Sequence, residues 1–272
     1  MVSIKKGMEI MNEVEEAQRR RAKIRAILAC GMLAEDSEEK KSAELKSMFP
    51  EVPDHLLERI VGTEHWDGHR LPFNRRMRRR IDKATSVVVH LFSGADPGRW
   101  VRWEKEGTAV VCLDALQGAD LHDEHLSGWL DELVESGKVT MWLAGPPCRS
   151  VSVCRQREDN GPRTLRERQG AQRFGIPGLT EQEMTLADGD AVLWLKNLRW
   201  IRKAKARNAQ LQVMVEQPRD PMEWKELRPG QAEHPSFLVW PETGTLSNGS
   251  TCSASGWIRG VSGMRPESRP HC

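Results

Sequence analysis

A parallel α/β sheet with a charged helical region ahead of it is predicted by three features of the sequence. Four short apolar runs, "SVVVHLFSG", "TAVVCLD", "KVTMWLAG" and "AQLQVMVEQP", have the β-branched, unbroken hydrophobic character of buried parallel strands. Helical patterns separate them, and strands that alternate with helices pair in parallel. Each run also ends on small, proline or acidic residues: "FSG", "LD", "GPPC" and "EQP". Ligands in such sheets bind beyond the carboxyl ends of the strands, so all four ends are candidates for chemistry.

The elements follow in chain order. In "IMNEVEEAQRRRAKIRAILA", Ile10, Val14, Ala17, Ile24 and Ile27 recur at helical spacing with Glu and Arg between them. "SAELKSMFPEVPDHLLERIVG" reads as two short helices, broken at Pro50 and Pro53 and stopped near Gly62. Residues 1–69 are thus expected to form a charged helical accessory region. A basic linker follows over 70–85, where Arg70, Arg75, Arg76, Arg78, Arg79, Arg80 and Lys83 face one acid, Asp82. Such a cluster neutralises phosphates, and nucleic acid, DNA before RNA, is the partner expected there. It reads equally as a solvated helix or a targeting signal.

The α/β domain is expected over 86–242. After the first strand "WVRWEKEG" reads as a helix, and after the second "LSGWLDELVESG" is an amphipathic one. Between the third and fourth strands lies "DGDAVLWLKNLRWIRKAKARN", with Val192, Leu195, Leu198 and Ile201 near one face. The arginine-rich stretch before it, "RQREDNGPRTLRERQGAQRFGIPGLTEQE", reads as a mobile loop closing over nucleic acid or as an insertion. Residues 243–272, rich in Ser, Gly and Thr without periodicity, are expected to be a disordered tail.

Composition narrows the function classes. The 272 residues carry a net charge of only +2, so any polyanion contact must come from local clusters, not from overall charge. Cys30, Cys112, Cys148, Cys154, Cys252 and Cys272 form no CxxC pair, which argues against a disulfide framework and a zinc site. Free thiols in a reducing compartment are the simpler reading. The N-terminus lacks the apolar core of a signal peptide, and no apolar run approaches bilayer length. The expectation is an intracellular protein of nucleus or cytoplasm, with no membrane partner.

Residue chemistry sharpens the strand ends. Gly94 and Gly98 in "LFSGADPG" would let backbone approach a ligand, with Phe92 as an apolar wall. Asp114, closing the second strand, suits a ribose diol, and Asp120 in "GADL" an adenine amino group. Cys148 follows Pro146 and Pro147, which lack N–H donors and fix φ, so they stiffen the loop and aim the thiol. A buried structural cysteine is the plainer alternative.

In their order and context, "HLFSG", "GPPCRSVS" and "VEQP" resemble the cytosine-C5 DNA methyltransferases over roughly residues 87–221. The resemblance implies a Rossmann-like S-adenosylmethionine-dependent methyltransferase sheet. It implies Cys148 as the nucleophile that attacks cytosine C6, and Glu216 as the acid that hydrogen-bonds or protonates the ring near N3. Phe92, Gly94, Asp114, Asp120 and Pro146 would hold S-adenosylmethionine; Ser150, Ser152 and Arg163 would face substrate. The target cytosine would have to be flipped or single-stranded.

The chain departs from the family at several places. His90 stands where the family has an acid, Asp96 and Pro97 where a second glycine is expected, and Gln217-Pro218 where Asn-Val follows the glutamate. No Gln-Arg-Arg motif, target-recognition domain or closing Gly-Asn motif follows Glu216. The sheet is therefore expected to be incomplete at its C-terminal side, with apolar surface or an open edge. A divergent, truncated segment of this kind is also similar to parts of retroelement polyproteins. Two other functions remain open: an inactive remnant that binds nucleic acid through its basic segment, and a different thiol enzyme using Cys148 and Cys154.

Overall fold

The computed structural model describes residues 40–60, 71–96, 98, 103–152, 155, 162–218, 220 and 234–244. Contacts divide the chain after Pro50, into Met1–Pro50 and Glu51–Cys272. In the first unit residues 40–48 are helical. The helix expected around residues 10–29 lies outside the described residues. The second unit begins earlier than residue 70, because the one-turn helix Asp54–Leu57 belongs to it. Leu56, Leu57 and Ile60 are buried, and Arg59 and His55 lie 3.7 and 3.6 Å from Asp188.

The basic segment forms helix α1, Arg75–Lys83. Asn74 caps it, its side chain accepting the Met77 N–H at 2.9 Å. Ile81 is buried, and Phe73, just ahead of the helix, packs on Trp129 with 5.1 Å between ring centroids. Arg75, Arg76, Arg79 and Arg80 are exposed and Arg78 is half-buried; Arg80 pairs with Glu104.

The four expected strands all form: β1 Ser86–Leu91, β2 Thr108–Leu113, β3 Val139–Ala144 and β4 Gln212–Val215. They make one parallel sheet in the order β2-β1-β3-β4. The chain leaves β1 in one direction to reach β2, then returns past β1 to β3. That reversal makes the β1/β3 boundary the switch point, where the loops of a parallel sheet diverge and leave a crevice. Helix α2, Glu124–Glu135, joins β2 to β3, and helix α3, Glu181–Arg207, joins β3 to β4. The helix expected over 100–107 lies partly outside the described residues, and Glu106–Gly107 form a turn into β2.

Side-chain alternation gives the sheet two unlike faces. One carries Val87, Val89, Leu91, Val111, Leu113 and Trp142, all fully buried. Trp142 donates its indole N–H to Asn197 at 2.8 Å and lies 6.2 Å from Trp200, so α3 covers this face. Each such side chain contributes roughly 1.5–3 kcal/mol on burial. The opposite face is thinner: Val88, Val110 and Leu143 are buried, Cys112 and Met141 only partly, and Met214 on β4 is 45% exposed. Among the described residues no strand pairs with the outer edge of β4. No described helix is long and apolar enough to cross a membrane.

The arginine-rich stretch is not a free loop over its described part, 162–179. Arg166 is fully buried, donating to the carbonyls of Arg173 (2.6 Å) and Ala187, with Phe237 and Trp240 each 5.6 Å away. Arg173 is also buried and pairs with Glu242 at 3.0 Å. Phe237 stacks on Trp194 at 5.3 Å, and Thr243 is buried with its hydroxyl on the Phe237 carbonyl at 2.7 Å. Packed chain therefore extends past residue 242 to Thr243, in the helical turn Pro241–Gly244; residues 245–272 lie outside the described ones.

His90, on β1 between Cys112 and Leu143, has its pKa lowered from 6.5 to about 4, chiefly by burial and against the pull of Asp114. The unfolded chain then binds the extra proton between those values, so stability must fall as pH drops from 6.5 through 4. Chemical denaturation at pH 7 and pH 4.5 should show His90→Gln losing less stability than the wild type across that window. Equal losses would mean that His90 is not held neutral.

Candidate active site

The strand pairing continues one residue beyond the carboxyl ends and draws the candidate residues into a row. Phe92 N–H donates to Leu113 O at 2.7 Å, Gly145 N–H to Leu91 O at 3.3 Å, and Glu216 N–H to Ala144 O at 2.8 Å. In register this gives Asp114, Phe92, Gly145 and Glu216 side by side across the sheet. Parallel strands lie about 4.8 Å apart, so the row spans on the order of 14 Å. The parallel topology thus gathers residues up to 124 positions apart in sequence (92 to 216) along one edge.

At the β1 end, the "FSG" turn is unusual. Phe92 has φ 58°, the one described non-glycine residue in the left-handed region, and Gly94 has φ 80°. A bulky residue held there costs on the order of 1–3 kcal/mol, and such conformations concentrate at functional sites. A Cβ added at Gly94 would meet no atom within 4 Å, so open space lies over the turn. Asp114 fixes the turn, accepting Gly94 N–H at 2.8 Å on one oxygen and Leu116 N–H at 2.8 Å on the other. Gln117 donates to Ser93 Oγ at 3.2 Å and to the Gly94 carbonyl. A carboxylate has about four acceptor positions, so Asp114 keeps capacity for a diol.

At the β3 end, Pro146 is buried and its carbonyl accepts the Gln217 side-chain amide at 2.8 Å. Cys148, half-buried and not in a disulfide, opens a single 3-10 turn, Arg149–Val151, with its carbonyl accepting Val151 N–H at 3.1 Å. Asp190 of α3 holds that turn. It is fully buried, and its two oxygens accept the Ser150 N–H at 2.8 Å and Arg149 Nη2 at 3.1 Å. Glu216, at the end of β4, is exposed, and its Oε2 lies 3.8 Å from where a Cβ on Gly145 would stand. The carboxylate is therefore over the root of the cysteine loop.

The other predicted residues are less central. Asp120 is exposed in the loop before α2, where its carboxylate accepts His122 N–H at 2.9 Å. Lys196 of α3 anchors that loop through Leu121 O at 3.0 Å and Ser127 Oγ at 2.8 Å; burial, with Arg199 adding, lowers its pKa to about 8. Ser150 is buried and Ser152 half-buried. Arg163 is exposed but tied by its fork to both oxygens of Glu183 and to Gly178 O, which directs it to the start of α3. Cys154 lies outside the described residues. Cys112, the other described thiol, has its pKa raised to about 11, first by burial and then by Glu104, which leaves it protonated. Among the described residues no cluster of metal-ligating side chains occurs.

Sequence reasoning missed Asp190 and Gln217 as the supports of the Cys148 loop. Asp190 left one signal, an acid inside the apolar run "ADGDAVLWL" of a helix. Gln217 left none. Comparison with family models, curated proteins and solved structures finds no match to this chain.

Gln217→Ala should leave the buried Pro146 carbonyl without its donor and lower unfolding stability by roughly 1–3 kcal/mol. It should also quicken alkylation of Cys148, followed by mass spectrometry of its peptide. An unchanged alkylation rate would show that Gln217 does not hold the loop.

Proposed function

We propose that this protein transfers a methyl group from S-adenosylmethionine to C5 of cytosine in DNA through a covalent bond to Cys148. The reading rests on the resemblance of "HLFSG", "GPPCRSVS" and "VEQP" to the cytosine-C5 methyltransferases. The observation that carries it is the row at the sheet's carboxyl edge, where the Cys148 loop stands between the Phe92–Gly94 turn and Glu216. Thiol, carboxylate and an open backbone turn thus share one edge at the switch point, with a fully buried acid spent on fixing the cysteine turn.

The chemistry assigns each residue a task. The Cys148 thiolate forms a bond to cytosine C6, and Glu216 donates a proton or hydrogen bond at N3, so that electron density gathers at C5 rather than on the ring nitrogen. When bound, S-adenosylmethionine supplies an electrophilic methyl group to that carbon. Loss of the C5 proton to solvent water then returns the electron pair that expels Cys148 from C6, restoring the thiolate. The Phe92–Gly94 turn, Asp114, Asp120 and Pro146 would hold the cofactor: the turn has open space beside its backbone, and Asp114 retains acceptor capacity for the ribose. Pro146 and Pro147 set the direction of the thiol.

A second reading, a methyltransferase-fold remnant that binds nucleic acid through α1, is favoured by one observation. Lys83 ends three residues before Ser86, and Lys138, just ahead of β3, donates to Asp82 O at 2.9 Å. The last turn of α1 therefore lies at the amino ends of the strands, at the opposite end from the Cys148 loop, so nucleic acid bound at that turn would be held apart from the cysteine.

Calorimetric titration with S-adenosylmethionine separates the two. Saturable binding is expected in the wild type and its loss in a Gly94→Trp variant that keeps its circular dichroism. Cys148→Ala and Glu216→Gln should still bind cofactor yet transfer no methyl group to cytosine-containing DNA. A folded wild type that binds no S-adenosylmethionine would leave the remnant reading standing.

A further inference from the structure

We infer that Arg149, aimed by Asp190, is the contact for a nucleic-acid phosphate beside Cys148. For the identity of its ligand the inference rests on the reading of Cys148 as a base-directed nucleophile. It assigns a role to a residue that the sequence motif does not.

Asp190 is the starting point. Burying a carboxylate completely carries a desolvation cost of several kcal/mol unless its oxygens are well met. One oxygen serves the Ser150 N–H, which would suffice to anchor the turn; the other accepts Arg149 Nη2 at 3.1 Å. The arginine itself is not buried with it: its side chain is 67% exposed while Asp190 has no exposure. The result is a guanidinium held at one nitrogen, with the rest of its planar fork turned to solvent, on the residue that follows Cys148.

A fork of that kind matches a phosphate in two hydrogen bonds, and a side chain already held in place loses less rotamer freedom on binding. Arg155 reinforces the arrangement by donating from Nε to Arg149 O at 2.7 Å and from Nη1 to Arg163 O at 3.1 Å. Two cationic side chains therefore flank the turn of the proposed nucleophile. The nearby alternative, Arg163, has its fork committed to Glu183, and the last turn of α1 lies at the far end of the strands. A strand presenting a cytosine to Cys148 carries its phosphates within a few ångströms of the base, which is where Arg149 stands in the chain.

The test is the salt dependence of binding. Each phosphate contact on a single strand adds about 0.7 to the slope of log K against log salt concentration. Fluorescence anisotropy of a labelled single-stranded DNA oligonucleotide, without S-adenosylmethionine, should give Arg149→Gln a slope smaller by about that amount and a several-fold weaker affinity in low salt. Asp190→Asn, which can still accept the Ser150 N–H, should weaken binding in the same direction. Arg149→Gln removes the cation that meets buried Asp190 and is expected to melt below the wild type. Slopes are therefore compared at a temperature where circular dichroism shows both proteins folded, and a changed slope then reports contact, not folding. An unchanged slope in Arg149→Gln overturns the inference. So does an equal loss on polyglutamate, which would make the site a general anion site. A changed slope in a protein that binds no S-adenosylmethionine would sustain this contact and remove only the methyl-transfer reading.

Discussion

The buried polar row along helix α3 is the constraint on which the arrangement of the candidate site depends. Asp190 holds the Cys148 turn, Lys196 the loop after Asp120, Asn197 the Trp142 indole of β3, and Arg199 pairs with Asp131 of α2 at 2.9 Å. Helices usually turn such residues to water, and burying them is costly unless every partner is in place. Two of the partners, the Cys148 turn and the loop after Asp120, lie beyond the sheet's carboxyl edge, and the other two are strand β3 and helix α2. The same helix that covers the sheet with Trp194, Leu195, Leu198 and Trp200 thus also fixes its loops. Apolar burial supplies the affinity between helix and sheet; the polar row sets which loop goes where.

Topology supplies the rest. A parallel sheet points all its carboxyl ends the same way, and the reversal between β1 and β3 sets the Phe92 turn and the Gly145–Cys148 loop on either side of the switch point, where sheets of this kind bind ligands. The side chains there are held unequally. Asp114, Gln117 and Asp190 bind backbone groups and act as braces. Glu216 and the fork of Arg149 stay exposed, and exposed groups on a braced frame are the ones able to meet a ligand. The opposite face of the sheet is thinner among the described residues, with Met214 exposed on β4.

The strands were legible because their signal is local. Runs such as "SVVVHL" and "TAVVCL" are too β-branched and too short for helices, and their ends carry the turn chemistry of a parallel sheet. What escaped was non-local. Helix α3 begins at Glu181, seven residues before the expected start at Asp188, because Thr180 and Glu183 form a capping box inside a polar stretch. Glu183 itself is held at a pKa of about 2 by Arg163, with Thr180 adding. Arg166 and Arg173 fall in the stretch read as a mobile loop or an insertion, yet aromatic faces, carbonyls and Glu242 meet them in the interior. Of the site, Phe92, Gly94, Asp114, Cys148 and Glu216 were visible as strand-end residues. The Asp190–Ser150 and Gln217–Pro146 bonds, 40 and 71 residues apart in sequence, follow only from the fold.

The central claim is that Cys148 forms a bond to a cytosine ring, and the most direct measurement is intact mass spectrometry after incubation with 5-fluorocytosine DNA and S-adenosylmethionine. Fluorine at C5 cannot leave as a proton does, so the sulfur–C6 bond would persist. The account predicts a protein–oligonucleotide adduct whose peptide map ends at Cys148 and which is absent in Cys148→Ala. A folded protein that binds both the DNA and S-adenosylmethionine and yet forms no adduct would contradict it.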